Sequence, residues 1–351
     1  MLSSFRQNNF SLGAAASRFS PLMAVALLIG CLSLAGCGDR ALQISLVPVS
    51  HRIKPHVVRK SGQWFESNRI AIVDVSGMLL DGSTASWLGS SHNPVSDFAQ
   101  TLHAIAKDSN VKAVVLRMNT PGGTVTASAI MYADLKRFEK KTHKPVVVSM
   151  MDVCASGGYY VSCAANYQMA YPTTITGSVG VIVQLFNFRH TLQYLGITAP
   201  AFASGPNKET GSPFSKMTPS QKKIIRGFVT EFFARFVHIV KTSHPNVNAK
   251  LWPMLTDGRP LTGIDAARYH MINALGGLHA AIRKAKALAG IKHATIVLYK
   301  RDGHDTGSIY ARSDIGGKSA PVNMLNFNLG GAGAADLATF LHPNFLYMWE
   351  Q

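Results

Sequence analysis

The chain has 351 residues, 47% of them hydrophobic and only 15% charged, with a net charge of +17. That length can bury one large core or two smaller ones, and the composition excludes a disordered chain and a coiled coil. The positive balance favours anionic partners such as lipid headgroups. There is no zinc or helix-turn-helix signature and no Lys/Arg run interleaved with aromatics, so a nucleic-acid partner has no support.

Residues 1–36 hold no acid and two basic residues, Arg6 and Arg18. An apolar run from Pro21 to Leu34 follows and ends in Leu34-Ala35-Gly36-Cys37. A basic start, a short apolar stretch and small residues before a cut describe a secretory signal. The run is short for a transmembrane helix, which needs about 20 apolar residues. Its end resembles the bacterial lipobox, in which Cys37 would be lipidated and become the mature N-terminus. The alternative is an uncleaved, slightly short anchor, and both place the remainder at a membrane. From Gly38 to about Trp64 cations recur (Arg40, Arg52, Lys54, Arg59, Lys60) with little helical period, as in a tether lying near headgroups.

Beyond this the pattern alternates between strand and helix. Ile70 to Val75 is a β-branched run stopped by Ser76-Gly77, and Phe98, Leu102, Ile105 and Ala106 fall at helical spacing. Val111 to Met118 predicts a second strand, closed by Asn119-Thr120-Pro121-Gly122-Gly123. An apolar helical stripe runs through Ala127, Ile130, Met131, Leu135 and Phe138, and a third strand over Pro145 to Met151 ends at Asp152. Strand, helix, strand, helix, strand implies an α/β fold with a largely parallel sheet.

The second half is more helical. Thr218-Pro219-Ser220-Gln221 has the form of a capping box. Ile225, Phe228, Phe232, Phe236 and Val240 continue it as one core-facing stripe. A helix through Ala280 to Leu288 and a strand over Thr295 to Tyr299 follow. The Gly-rich stretch Gly316 to Gly333 reads as loop. Phe345 to Trp349 is apolar enough to be docked. Cys154 and Cys163 read as small core residues.

Several ready-made chemistries are absent. There is no GxxxxGK[ST], no GxGxxG after a strand and no HExxH, and the 13 histidines lack ligand spacing. No metal or organic cofactor is therefore called for. What remains is Cys154-Ala155-Ser156-Gly157-Gly158-Tyr159-Tyr160, directly after the third strand. A serine at a strand-to-helix turn meets the unpaired N–H groups of the helix start, which suit an alkoxide and an oxyanion. Ser-Gly-Gly alone is common in loops. The turn Asn119 to Gly123 can aim an amide N–H into a cleft, or be an ordinary βα turn. Two such turns after neighbouring parallel strands would converge where α/β ligands bind. A serine nucleophile needs a base, and there is no GxSxG elbow with its Asp and His. His190 and His238 stay open as bases. Lys208 lies in a Gly/Pro-rich loop; burial can bring a lysine toward neutrality, but composition alone makes this one a solvated cation.

Taken together, Arg117 to Gly123, Ala155 to Tyr160 and Thr176-Gly177-Ser178-Val179-Gly180-Val181 resemble the signal peptide peptidase (SppA) family. Ser204-Gly205-Pro206-Asn207-Lys208 with Ser212-Pro213-Phe214 is similar to that family's lysine loop, and Asp257 to Gly263 to a later motif. The similarity spans about Ile70 to Ile291 in the family's order. It implies a Clp-protease/crotonase-like fold of ββα units with additional helices, and peptide-bond cleavage by a Ser–Lys dyad. Ser156 matches the nucleophile, Lys208 the base and Ser178 the hydroxyl that orients the lysine. Gly123 matches the oxyanion donor, and Gly157 could give a second. The chain departs from many relatives in its lipobox, in its single catalytic domain, and in having His270-Met271-Ile272-Asn273 after the late helix.

The resemblance implies a membrane-proximal endopeptidase of the bacterial envelope, facing the periplasm or exterior, acting on signal peptides or other apolar peptides as a homo-oligomer. The organisation expected is a lipoprotein-type signal over 1–36, a basic tether over 37–64, and a peptidase domain over 65–351 with a docked tail. An inactive peptide-binding envelope scaffold and a crotonase-like acyl-CoA enzyme are the competing readings; the second has no use for a Ser156–Lys208 pair.

Overall fold

The computed structural model describes residues 53–61, 66–82, 84–86, 89–300, 308–310 and 345–348, the short stretches 84–86, 89–92 and 345–348 as backbone alone. The signal segment, Cys37 and the Gly-rich stretch lie outside these residues. The strands are β1 (Lys54–Arg59), β2 (Arg69–Ser76), β3 (Thr84–Ser86), β4 (Gly89–His92), β5 (Val111–Thr120), β6 (Gly122–Thr124) and β7 (Val146–Ala155). After these come β8 (Tyr167–Ala170), β9 (Ile175–Gly177), β10 (Ile182–Val183), β11 (Pro260–Thr262), β12 (Ala274–Leu275), β13 (Thr295–Lys300) and β14 (Phe345–Met348).

The main sheet has the order β1-β13-β2-β5-β7-β8-β12, with β9 and β11 added beside β7. The pairs from β13 through β12 are parallel, and β1 joins antiparallel to β13. Helices separate the parallel strands, and β5, β6 and the helix Val125–Thr142 form a ββα unit. This is the α/β class expected.

Both sheet faces are covered, which is why the central strands read as continuous apolar runs rather than alternating ones. Ala71, Val73, Val114 and Leu116 pack with Phe98, Leu102, Met131 and Leu135 from helices Pro94–Lys107 and Val125–Thr142. Ile70, Ile72, Ala113 and Val115 turn to the opposite face and meet Leu278, Ala281, Ile282 and Ala285 of helix Leu278–Leu288. Between β2 and β5, Arg117 Nε donates to Asp74 Oδ1 at 2.9 Å, and its Nη1 donates to the Ile309 carbonyl. That buried pair ties residues 308–310 to the sheet.

Three expectations are corrected. The tether read over 37–64 contains a strand, since Lys54–Arg59 pairs with β13 at the sheet edge; its charges sit on an edge strand, where charged residues are common. The third strand does not end at Asp152 but runs to Ala155. The stripe from Ile225 to Val240 is not all core. Helix Pro219–Ser243 has its capping box at Thr218 and Gln221, but of the stripe only Phe236 and Val240 are buried, while Phe228 is 42% exposed. Capping and periodicity identify the helix, but not what covers it.

Candidate active site

The site begins with an irregularity in β7. Met118 of β5 stands opposite Met150, yet Thr120, two residues on, stands opposite Cys154, four residues on. β7 therefore bulges between Met150 and Cys154, a device that re-aims strands beside active sites. The Asn119 side chain fills the bulge, accepting from Val153 N at 3.1 Å and donating to Asp152 Oδ2 at 3.2 Å. Before the bulge β7 pairs with β8; after it, Val153–Ala155 pairs with Ile175–Gly177 of β9. Two threonines secure the switch: Thr174 Oγ1 donates to the Met151 carbonyl at 2.6 Å and Thr176 Oγ1 to the Cys154 carbonyl at 2.7 Å.

Ser156 follows at once, with φ 50° and ψ −113°. A non-glycine residue held in this region is strained, and such strain clusters at functional turns between a strand and a helix. Its N–H donates to the Gly177 carbonyl at 2.8 Å, and its carbonyl accepts from Tyr160 N at 2.8 Å to start helix Gly157–Ser162. The hydroxyl takes no capping role, which leaves it available for chemistry. Ser156 is 1% exposed, and Gly157 beside it is buried with its N–H at the open helix start.

The two turns singled out in the sequence do converge. A Cβ on Gly158 would stand 2.6 Å from Thr120 Cγ2, so only glycine lets the nucleophile helix lie this close to the end of β5. Gly123 is held against Leu79: a Cβ there would stand 2.0 Å from the Leu79 carbonyl oxygen. Leu79 N donates to the Gly122 carbonyl and Thr124 N to the Leu79 carbonyl. Strand groups alternate in direction, so the Gly123 N–H and C=O point to the opposite edge of β6.

Ser178 follows the glycine whose carbonyl holds Ser156. It has φ 51°, is buried, donates Oγ to the Gly258 carbonyl at 3.2 Å and N–H to the Arg259 carbonyl at 3.0 Å. The Asp257–Gly263 motif is thus the support of the Ser178 turn, a link only the structure supplies. Ser156, Gly157, Gly123 and Ser178 are buried and belong to one neighbourhood. Lys208 is exposed in the turn-rich loop before helix Pro219–Ser243, and its side chain makes no hydrogen bond to Ser156 or Ser178. His190 and His238 are exposed as well. Cys154 and Cys163 are buried free thiols; burial pushes Cys163 up to about 12 and Cys154 higher still, so neither is a nucleophile.

A serine on a strained strand-to-helix turn, flanked by glycine N–H groups at the end of a parallel sheet, defines a hydrolase site of the α/β kind. The profile of peptidase family S49 matches residues 138–292. A protein of Enterococcus faecium named "Putative signal peptide peptidase SppA" is 30% identical over 72% of this chain and 72% of its own length. Protease 4 of Haemophilus influenzae is 31% identical over 66% of this chain, which spans 36% of that longer protein. Among solved structures, a ClpP1 mutant of Listeria monocytogenes aligns with 15% identity and a TM-score of 0.39, over 60% of this chain and 94% of its own. The chain belongs to peptidase family S49, and it is a serine peptidase.

Proposed function

We propose that this peptidase works by a Ser–Lys dyad assembled between copies of the chain, on apolar peptides, remnant signal peptides among them, at a bacterial membrane. The observation that carries the reading is the setting of the lysine: Ser156, Gly157, Gly123 and Ser178 are buried, while Lys208 is exposed in a loop and its side chain makes no hydrogen bond to either serine. The same region carries Phe186, Phe188, Tyr194, Leu195, Phe202 and Phe214, all exposed, with Phe202 at 99%. An apolar surface of that kind rimmed by polar groups marks an interface. A second copy would cover it and bring its Lys208 to the Ser178 turn of its neighbour. Enclosure in such an interface is what allows an amine to act as a base.

The chemistry then runs in two steps. Ser156 Oγ bonds to the scissile carbonyl carbon as its proton passes to the neutral Lys208 amine, and the oxyanion is held by the Gly123 and Gly157 N–H groups. Lys208 returns that proton to the leaving amine as the C–N bond breaks. Water, deprotonated by Lys208, then attacks the acyl-enzyme and releases the acid and Ser156. Membrane attachment rests on the sequence alone, through the apolar run ending at Cys37 and the basic residues beyond it.

Hydrolysis of an apolar fluorogenic peptide by the protein, beside Ser156→Ala and Lys208→Ala, tests the chemistry. Both variants should fold and lose activity. Activity surviving Lys208→Ala would remove the lysine from the mechanism and return attention to the histidines.

A further inference from the structure

An exposed ion pair lies one step behind the Ser178 turn. Between helix Trp252–Leu255 and β11, the Asp257 carboxylate closes on Arg259. Its Oδ1 accepts from Arg259 N and Nε, both at 3.0 Å, and its Oδ2 accepts from Nη2 at 2.6 Å. The Arg259 and Asp257 side chains are 50% and 40% exposed, a setting in which ion pairs add little to overall stability. What this pair encloses is Gly258, which has φ 92° and open space where a Cβ would stand. Pro260 already restricts Arg259 to extended backbone, so Gly258 is the freest joint of the turn. The Asp257–Arg259 clasp spans that joint.

The carbonyls of Gly258 and Arg259 are the two that hold Ser178. Ser178 Oγ donates to the Gly258 carbonyl at 3.2 Å, and Ser178 N to the Arg259 carbonyl at 3.0 Å. The β11–β9 ladder begins at Pro260, opposite Gly177, and so stops short of Gly258. A hydroxyl has one proton. With that proton committed to Gly258, Ser178 Oγ meets an amine only as an acceptor. The amine then donates an N–H to Ser178, and its lone pair stays free for the Ser156 proton. We infer that Asp257 and Arg259 are positioning residues: by fixing the Gly258 carbonyl they set which way the Ser178 hydrogen bond runs. The inference rests on the Ser–Lys reading for its effect on rate, while the hold on Ser178 stands apart from it. Hydrogen bonds from Arg259 keep the Asp257 carboxyl below the usual carboxylate range, so the clasp is charged at neutral pH.

The test uses the full chain and steady-state hydrolysis of an apolar peptide. Asp257→Ala and Arg259→Gln each open the clasp, and kcat should fall by about 10- to 100-fold while KM stays within about twofold. Asp257→Asn keeps an oxygen for the Arg259 N–H and loses the ion pair, so its kcat should lie between. Thermal unfolding run in parallel should show each variant folded. A double-mutant cycle reads the route through the hydroxyl. Asp257→Ala should cost nothing further in a Ser178→Ala background, since the hydroxyl it steers is gone. Unchanged kcat in Asp257→Ala, a rise in KM with kcat intact, or a full second loss in the Ser178→Ala background contradicts the inference.

A second arm needs no catalysis. Hydrogen exchange at the Ser178 amide, which donates to the Arg259 carbonyl, should quicken by about tenfold in Asp257→Ala. Exchange along β7 should stay at the parent rate. Equal exchange at Ser178 in both proteins overturns the inference. If exchange quickens as expected while the parent hydrolyses no peptide, the hold on Ser178 stands and the peptidase chemistry fails.

Discussion

The Ser156 N–H donates to the Gly177 carbonyl at 2.8 Å, joining the turn of the nucleophile to the turn of Ser178. Neither is a regular structure: Ser156 and Ser178 both have positive φ, 50° and 51°. Each strained residue is held by its neighbours, the Ser156 turn by the Gly177 carbonyl and the Thr176 hydroxyl at the end of β9, and Ser178 by the Gly258 and Arg259 carbonyls.

The Thr176 hydroxyl tests that hold. It donates to the Cys154 carbonyl at 2.7 Å in a fully buried setting. Thr176→Val keeps the shape and removes the donor, leaving a buried carbonyl short of a partner. A loss of about 1–3 kcal/mol in urea unfolding is expected. Because the Ser156 turn would loosen, kcat should fall more than KM changes.

Gly158 tests the approach of the two turns. Gly158→Ala places a methyl 2.6 Å from Thr120 Cγ2 and should cost about 1–3 kcal/mol. Thr120→Ser removes that methyl while keeping the oxygen that accepts from Gly122 N at 3.1 Å. The double variant should recover much of the stability and activity lost by Gly158→Ala. Strict additivity of the two changes, measured as a double-mutant cycle, would show that the contact is not the reason for glycine.

His244 sets a pH dependence away from the chemistry. It is buried against Tyr159, and burial draws its imidazolium down from 6.5 to about 4, opposed by the Val240 and Met271 carbonyls. The unfolded chain therefore binds a proton between pH 6.5 and pH 4 that the folded chain refuses. Stability from this residue is fully present above about pH 6.5 and declines toward pH 4, by as much as about 3 kcal/mol. A His244→Asn variant should show a flatter decline of the urea midpoint over that interval. An equal decline in both proteins would assign the acid sensitivity to other groups.

The sequence was most informative where chemistry and local geometry coincide. Ser156 is marked by a strand signal followed by glycines, and the structure puts it on a strand-to-helix turn beside the Asn119–Gly123 turn. The Thr218 capping box is likewise a local device and is formed as written. What was hidden depends on long-range pairing. The bulge that carries β7 past Asp152 exists because β9 captures the last three residues of the strand, and no feature within Pro145–Asp152 announces that partner. Phe228 has the spacing of a core residue, but a stripe cannot say whether its own domain or another copy covers it. The setting of Lys208 is of the same kind: motif order pairs it with Ser156, and only the fold shows it exposed, with no hydrogen bond from its side chain to Ser156 or Ser178.

The central claim is that the dyad forms between copies, and mixing two inactive proteins tests it most directly. Ser156→Ala and Lys208→Ala, each without activity alone, are dissociated and reassembled together in equal amounts. In a head-to-tail assembly a site with Ser156 from one variant and Lys208 from the other arises by chance in about a quarter of positions. The account predicts recovery of peptide hydrolysis to about that fraction of the parent. No recovery, in assemblies shown by mass to contain both chains, would contradict it and place both residues of the dyad in a single chain.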